Sequence, residues 1–190
     1  ALGRKILIKH DAKLSAYAEW HCAEEIKGID RGSLAIVRSR GYGIGCGFVV
    51  NGNIVNGHLG LAGEAGYMGI NFNRHKKGEE GRGTLEYSAG VESVVRYMKE
   101  RLYEFPESPL NENSNYMDVF EAYKHGDELA DWAVSKVAWM LGYGIANIIY
   151  IINPDCIIIG PDYPDTEDFI NKIRSAVRNF VPEFVERNAT

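Results

Sequence analysis

Two glycine-rich stretches carry the residues most suited to chemistry. In Gly41-Tyr42-Gly43-Ile44-Gly45-Cys46-Gly47, glycine occupies every second position and then runs into the apolar Phe48-Val49-Val50. Alternating glycines leave one face of a strand bare, so another group can approach the backbone closely, and bare amides can cradle an anion. The second stretch, Gly57-His58-Leu59-Gly60-Leu61-Ala62-Gly63-Glu64-Ala65-Gly66-Tyr67, holds one carboxylate, Glu64. It reads as the lip of a polar small-molecule pocket. A further carboxylate, Asp11, stands just ahead of the run Ala12 to Ile26. It is placed where a helix N-cap would sit, a role worth about 1 kcal/mol by itself.

The elements that must position these residues follow from patterning. Asn51-Gly52 between two apolar runs is a hairpin signal, because both residues tolerate positive φ. Strands are expected at Ile6-Leu7-Ile8, Ser33 to Arg38, Gly45 to Val50, Asn53 to Val55 and Tyr67 to Phe72. Together they suggest a meander. A helix should run from Ala12 to Ile26 and end at Gly28. Arg74 to Gly83 is polar, holds three glycines and reads as an exposed loop. From Thr84 the pattern becomes helical and ends near Pro106. Glu107 to Tyr116 is a loop and Met117 to Tyr123 a short helix. Asp127 opens a long helix of period 3.6 that Pro154 stops. Cys156 to Ile159 is an apolar strand and Asp168 to Phe180 a last helix. The expected class is α/β or α+β: a mixed sheet with an antiparallel meander, flanked by helices, with Cys156 to Ile159 joining the same sheet.

Bulk properties narrow the function. The 190 residues suit a single domain or two small ones, and a net charge of −5 gives no basic footprint for nucleic acid. Any DNA contact would come through a segment outside this chain. Cys22, Cys46 and Cys156 are widely spaced and form no CxxC pair, which points to a reducing cytoplasm rather than a disulfide or zinc framework. No signal peptide is evident in Ala1 to Lys9. The apolar region Ile145 to Ile152 is too short to span a bilayer, so no membrane role is expected.

Five segments, in order, resemble the ROK family of bacterial repressors, open reading frames and sugar kinases. They are Gly41 to Gly52 with Gly57 to Tyr67; Ile8 to Ala16, similar to the family's Asn-Asp-Ala-Asn segment; Leu85-Glu86-Tyr87-Ser88-Ala89-Gly90, similar to Leu-Glu-x-x-Ser-Gly; Gly126 to Ala130; and Leu141 to Asn147 with Asn153 to Gly160. The resemblance implies an actin-like, ribonuclease-H-like lobe. Residues 1–190 would form the second lobe, with the first lobe and any DNA-binding segment outside it.

The resemblance also implies roles. Asp11 matches the family's catalytic base. His10 stands at the place of a sugar-binding Asn, and Glu64 and Glu86 match glutamates that bind sugar hydroxyls. Tyr67 replaces a His that serves both sugar and zinc. Arg74 to Gly83 replaces the family's cysteine-rich run, with His75 its one imidazole, so no zinc is expected. Gly41, Tyr42 and Gly43 align with a Gly-Thr-Gly that holds ATP phosphate. Gly160-Pro161 replaces a Gly-Gly near the nucleotide and removes an amide donor. With the sugar side kept and the phosphate side altered, the expectation is a sugar-sensing effector domain of a transcriptional regulator. It would bind a monosaccharide or sugar phosphate, pair as a homodimer and need no cofactor. The alternative is the C-terminal lobe of a glucokinase-like hexose or N-acetylhexosamine kinase using ATP and Mg. A third reading is a non-catalytic dimerisation domain.

Overall fold

The computed structural model describes residues 10–22, 32–71 and 82–182. Four strands, β1 (Leu34–Arg40), β2 (Gly43–Val50), β3 (Asn53–Ile54) and β4 (Cys156–Ile159), form one sheet in the order β3-β2-β1-β4. The β1–β2 and β2–β3 pairs are antiparallel, and β4 lies parallel to β1 with Leu34 opposite Cys156. The expected meander and the late strand beside it are both present. The β2–β3 turn has positive φ at Asn51 and Gly52, the conformation that made Asn-Gly a hairpin signal.

Each face of the sheet has its own cover. Ala35, Val37, Ile44, Cys46 and Phe48 point into the larger core, built with α2 (Leu85–Ala89), α3 (Ser93–Arg101), α4 (Tyr116–Lys124), α5 (Glu128–Ile152) and α6 (Glu167–Arg178). Leu34, Ile36 and Val49 face the other way and pack with Ala16 of α1 (Asp11–Cys22). The odd-numbered glycines of β2 fall on this second face. A Cβ at Gly47 would lie 2.3 Å from the Ala12 carbonyl oxygen. Glycine there lets α1 rest directly on the strand backbone. The bare strand face is thus filled by the protein's own first helix at Gly47 and left open further along, at Gly43.

Helix α5 is the spine of the larger core. Asp127 caps it by accepting the Ala130 amide at 2.8 Å, and Asn153 ends it in the left-handed region at φ 47°. By length and hydropathy α5 could cross a membrane, which the shorter Ile145 to Ile152 reading did not register. Its inward residues, from Leu129 to Ile149, are buried against the other helices and the sheet. It is the core helix of the domain.

Several expected elements differ. Asp11 is the first residue of α1 rather than its cap; His10 precedes it, and the His10 carbonyl accepts the Leu14 amide. The described part of the strand expected at Tyr67 to Phe72, up to Asn71, instead follows a turn of 3-10 helix, Ala65–Tyr67, and holds a single bridge between Gly69 and Thr84. The single helix expected from Thr84 is two, because the chain breaks at Gly90. There the Val91 amide bonds the buried Ser39 hydroxyl at 2.9 Å, and Tyr163 donates to the Ala89 carbonyl at 2.9 Å. Tertiary hydrogen bonds replace the helical ones, which a periodicity cannot signal. The Ile6-Leu7-Ile8 strand, the end of the first helix beyond Cys22, and His75 with most of the 74–83 loop lie outside the described residues.

Candidate functional site

A cleft of about 230 Å³ opens where α1 begins, on the face of the sheet that α1 covers. His10, Asp11, Glu64, Tyr67, Glu86 and Gly43 line it. Five side chains from three separate stretches of sequence therefore meet. Larger hollows exist, including one of about 550 Å³ between Pro109 and His125, but that one holds none of these residues.

Each side chain is held by a local device. Asp11 enters from the first turn of α1, and its Oδ1 accepts the Ala12 amide at 2.9 Å. Its carboxylate sits at the N-terminal end of α1, where the unpaired amides of the first turn lie. Glu64 and Tyr67 enter from the 3-10 turn beside β2. That turn sits tightly on the strand: Cys46 donates its amide to the Gly63 carbonyl at 3.2 Å, and a Cβ at Gly66 would lie 2.3 Å from the Ile44 carbonyl oxygen. Gly63 has φ +94°, a conformation L side chains rarely adopt. Glu86 enters from the first turn of α2, whose cap Thr84 accepts the Tyr87 amide at 3.4 Å.

His10 links two carboxylates. Its Nε2 is 3.5 Å from Glu64 Oε1 and its Nδ1 is 3.6 Å from Asp11 Oδ1. Beneath the cleft, burial pushes the Cys46 thiol up to about 12, with the Glu64 charge adding to the effect. Cys46 is thus a packed apolar residue and no nucleophile. Tyr67 is 66% exposed and offers its ring and hydroxyl at the rim.

Of the residues expected on the phosphate side, Gly43 lines the cleft and the others are placed differently. Gly41 and Tyr42 form the β1–β2 turn and do not line the cleft; Tyr42 is 81% exposed. Gly160 lies off the cleft, and its amide is already donated to the Val37 carbonyl at 2.8 Å. The next residue, Pro161, has no amide to give. Two cleft residues were not read from the sequence: Arg38 and Arg40. Their signal was Arg-Ser-Arg at the end of an apolar strand, which puts both guanidinium groups on one face.

The model of the ROK family matches residues 1–190. The chain belongs to the ROK family. It is 32% identical over 164 residues to a glucokinase of Halalkalibacterium halodurans, a match covering 82% of this chain and 48% of that protein. It is 29% identical over 157 residues to the xylose repressor of Caldicellulosiruptor bescii, covering 78% and 39%. Among solved structures, a ROK family transcriptional regulator, a homologue of the E. coli MLC protein, superposes with a TM-score of 0.85 at 22% identity, over all of this chain and 48% of that one. This ROK chain thus spans about half the length, or less, of these relatives. Both repressors and sugar kinases are among its kin, and its mixed sheet with flanking helices is the actin-like fold of the family.

The ROK resemblance led to the expectation of no zinc, because Arg74 to Gly83 replaces the family's cysteine-rich run, and most of that loop lies outside the described residues. Among the described residues, no group of three or more His, Cys, Asp or Glu could hold one. Zinc needs about four such ligands. Tyr67, at the place of a family ligand, has a phenol in place of an imidazole.

Proposed function

We propose that this lobe is the sugar-sensing effector domain of a ROK-type transcriptional regulator. The observation that carries the reading is the convergence of His10, Asp11, Glu64, Tyr67 and Glu86 on one cleft. Three carboxylates suit a ligand rich in hydroxyl donors. A carboxylate can accept from two vicinal hydroxyls, and such charge-assisted bonds are stronger than neutral ones. Tyr67 supplies a face on which a sugar ring can stack. The xylose repressor and the glucokinase among its relatives are named for sugars, which supports the ligand class.

The regulator is preferred over the kinase because of the phosphate side. Phosphoryl transfer depends on positioning and charge stabilisation of the transferred group. A bulky Tyr42 stands where the family has Thr, the Gly160 amide is used within the sheet, and Pro161 has none. Contact with DNA would come through a segment outside this chain, and pairing of two copies in the cytoplasm would complete the regulator. The kinase remains the second reading because Asp11, matching the family base, stands at the cleft.

Titration of monosaccharides into the full-length protein by calorimetry tests the reading. Saturable binding that Glu64→Ala weakens supports it. Binding that is equal in wild type and Glu64→Ala removes the assigned site.

A further inference from the structure

We infer that Arg38 and Arg40 form an anion subsite beside the hydroxyl-binding carboxylates, and that the sugar this cleft takes carries a phosphate. The inference rests on the sugar-binding reading and deepens it. Among the described residues, Arg38 and Arg40 are the only arginines or lysines lining the cleft. They occupy alternate positions of β1, opposite Gly45 and Gly43 of β2. Cross-strand partners share a face, and here both partners are glycines without side chains. Both side chains line the cleft beside the start of α1, where a Cβ at Gly45 would meet Ala12 and His10 and a Cβ at Gly43 would lie 3.8 Å from Glu86 Oε2.

These arginines are not consumed by the nearby carboxylates. Arg38 donates from Nη1 to the Ser15 hydroxyl at 2.7 Å, and its stem passes over Gly160, where a Cβ would lie 2.8 Å from Arg38 Cγ. That fixes the side chain and leaves its other donors without a hydrogen bond among the described residues. Neither Arg38 nor Arg40 forms an ion pair among the described residues, although Asp11, Glu64 and Glu86 line the same cleft. Glu64 and Asp11 instead share His10. The cleft has two halves: Asp11 and Glu64 flank His10 in one, for hydroxyls, and the two guanidinium groups line β1 in the other, for an anion, with Glu86 Oε2 near the Gly43 position opposite Arg40. A guanidinium fork matches phosphate oxygens in geometry and charge. A neutral sugar would leave that half of the cleft unmatched.

The same anion could belong to a nucleotide, so the test separates the two sources. Full-length protein is titrated with glucose, N-acetylglucosamine and xylose, with the terminal phosphate of each, with ATP and with inorganic phosphate. Wild type, Arg40→Gln, the Arg38→Lys and Arg40→Gln double variant, and Glu64→Gln are compared, with folding checked by circular dichroism. The expected result is that one sugar phosphate binds at least about tenfold more tightly than its parent sugar. That ratio falls towards one in Arg40→Gln and in the double variant. Equal affinity for sugar and sugar phosphate, both weakened by Glu64→Gln, overturns this inference and leaves the sugar reading standing. A ratio unmoved by the arginine variants also overturns it. ATP or inorganic phosphate binding as tightly as any sugar phosphate, without dependence on Glu64, assigns the arginines to a nucleotide and overturns it too. Failure of every sugar and sugar phosphate to bind rejects the sugar reading together with this one.

Discussion

His10 Nε2 lies 3.5 Å from Glu64 Oε1 and so ties the start of α1 to the glycine-rich turn beside β2. The pair joins two segments more than fifty residues apart in the chain, and it defines the carboxylate half of the cleft. The two members contribute unequally, because only the carboxylate can accept from two hydroxyls at once.

Sugar affinity should therefore depend on Glu64 more than on His10. Glu64→Ala removes a charge-assisted hydrogen bond worth about 1.5–3 kcal/mol, roughly a 10- to 150-fold loss in affinity. His10→Ala should cost less. Calorimetric titration of both variants checks the order, and a greater loss for His10→Ala would reverse it.

The contact between α1 and β2 can be broken by one methyl group. Gly47→Ala places a Cβ against the Ala12 carbonyl and should destabilise the domain by about 1–3 kcal/mol through overpacking. Gly69→Ala is the control, since a Cβ there meets nothing within 4 Å. Thermal melts should show a lowered Tm for Gly47→Ala only.

Alkylation should discriminate among the cysteines. Cys22 is exposed and Cys156 half-buried, whereas Cys46 is buried with its thiol pushed up to about 12 by burial first and the Glu64 charge second. Native protein at pH 8 should label rapidly at Cys22 and resist at Cys46 until it is unfolded, as read by mass spectrometry. The folded value lies above the ordinary 9.0. The stability due to a protonated Cys46 is thus complete below pH 9 and lost as the pH rises from there towards 12.

A clasp on the far side of the core holds α4, α5 and α6 together. Tyr123 of α4 donates to Asp168 of α6, and Lys172 reaches Asp131 of α5 at 2.9 Å and Asp168 at 3.4 Å. The Tyr123 hydrogen bond, with the Lys172 charge, lowers the Asp168 pKa from its ordinary value. Its contribution is present above the ordinary value of 3.8 and is lost as the pH falls through the lowered one. Tyr123→Phe should cost about 1 kcal/mol and flatten the acid limb of a stability-against-pH curve.

The sequence announced the hairpin, the long helix and the late strand because each follows from local chemistry: Asn51-Gly52, the Asp127 cap with Pro154, and Ile157-Ile158-Ile159. The break at Gly90 was hidden because Ser39, fifty-two residues away, takes the Val91 amide. Glu64 stood out as the lone carboxylate of a glycine-rich lip, whereas Glu86 and the part played by Asp11 could be named only through the family's motifs. Arg38 and Arg40 escaped because two arginines ending a strand look like a solvated edge until the α1 face is seen to end beside them. The open side of β2 was legible as alternating glycines, but that α1 would fill it at Gly47 was not.

The most direct test of the central claim uses the full-length protein, a candidate operator DNA, ATP and Mg, and the sugars and sugar phosphates above. A single reaction series would follow both DNA release, by fluorescence anisotropy, and ADP formation. The account predicts ligand-dependent release of DNA, lost in Glu64→Ala, with no sugar-dependent ADP formation. Sugar-dependent turnover abolished by Asp11→Asn, with no effect of any ligand on DNA, would contradict it and make the chain the lobe of a sugar kinase.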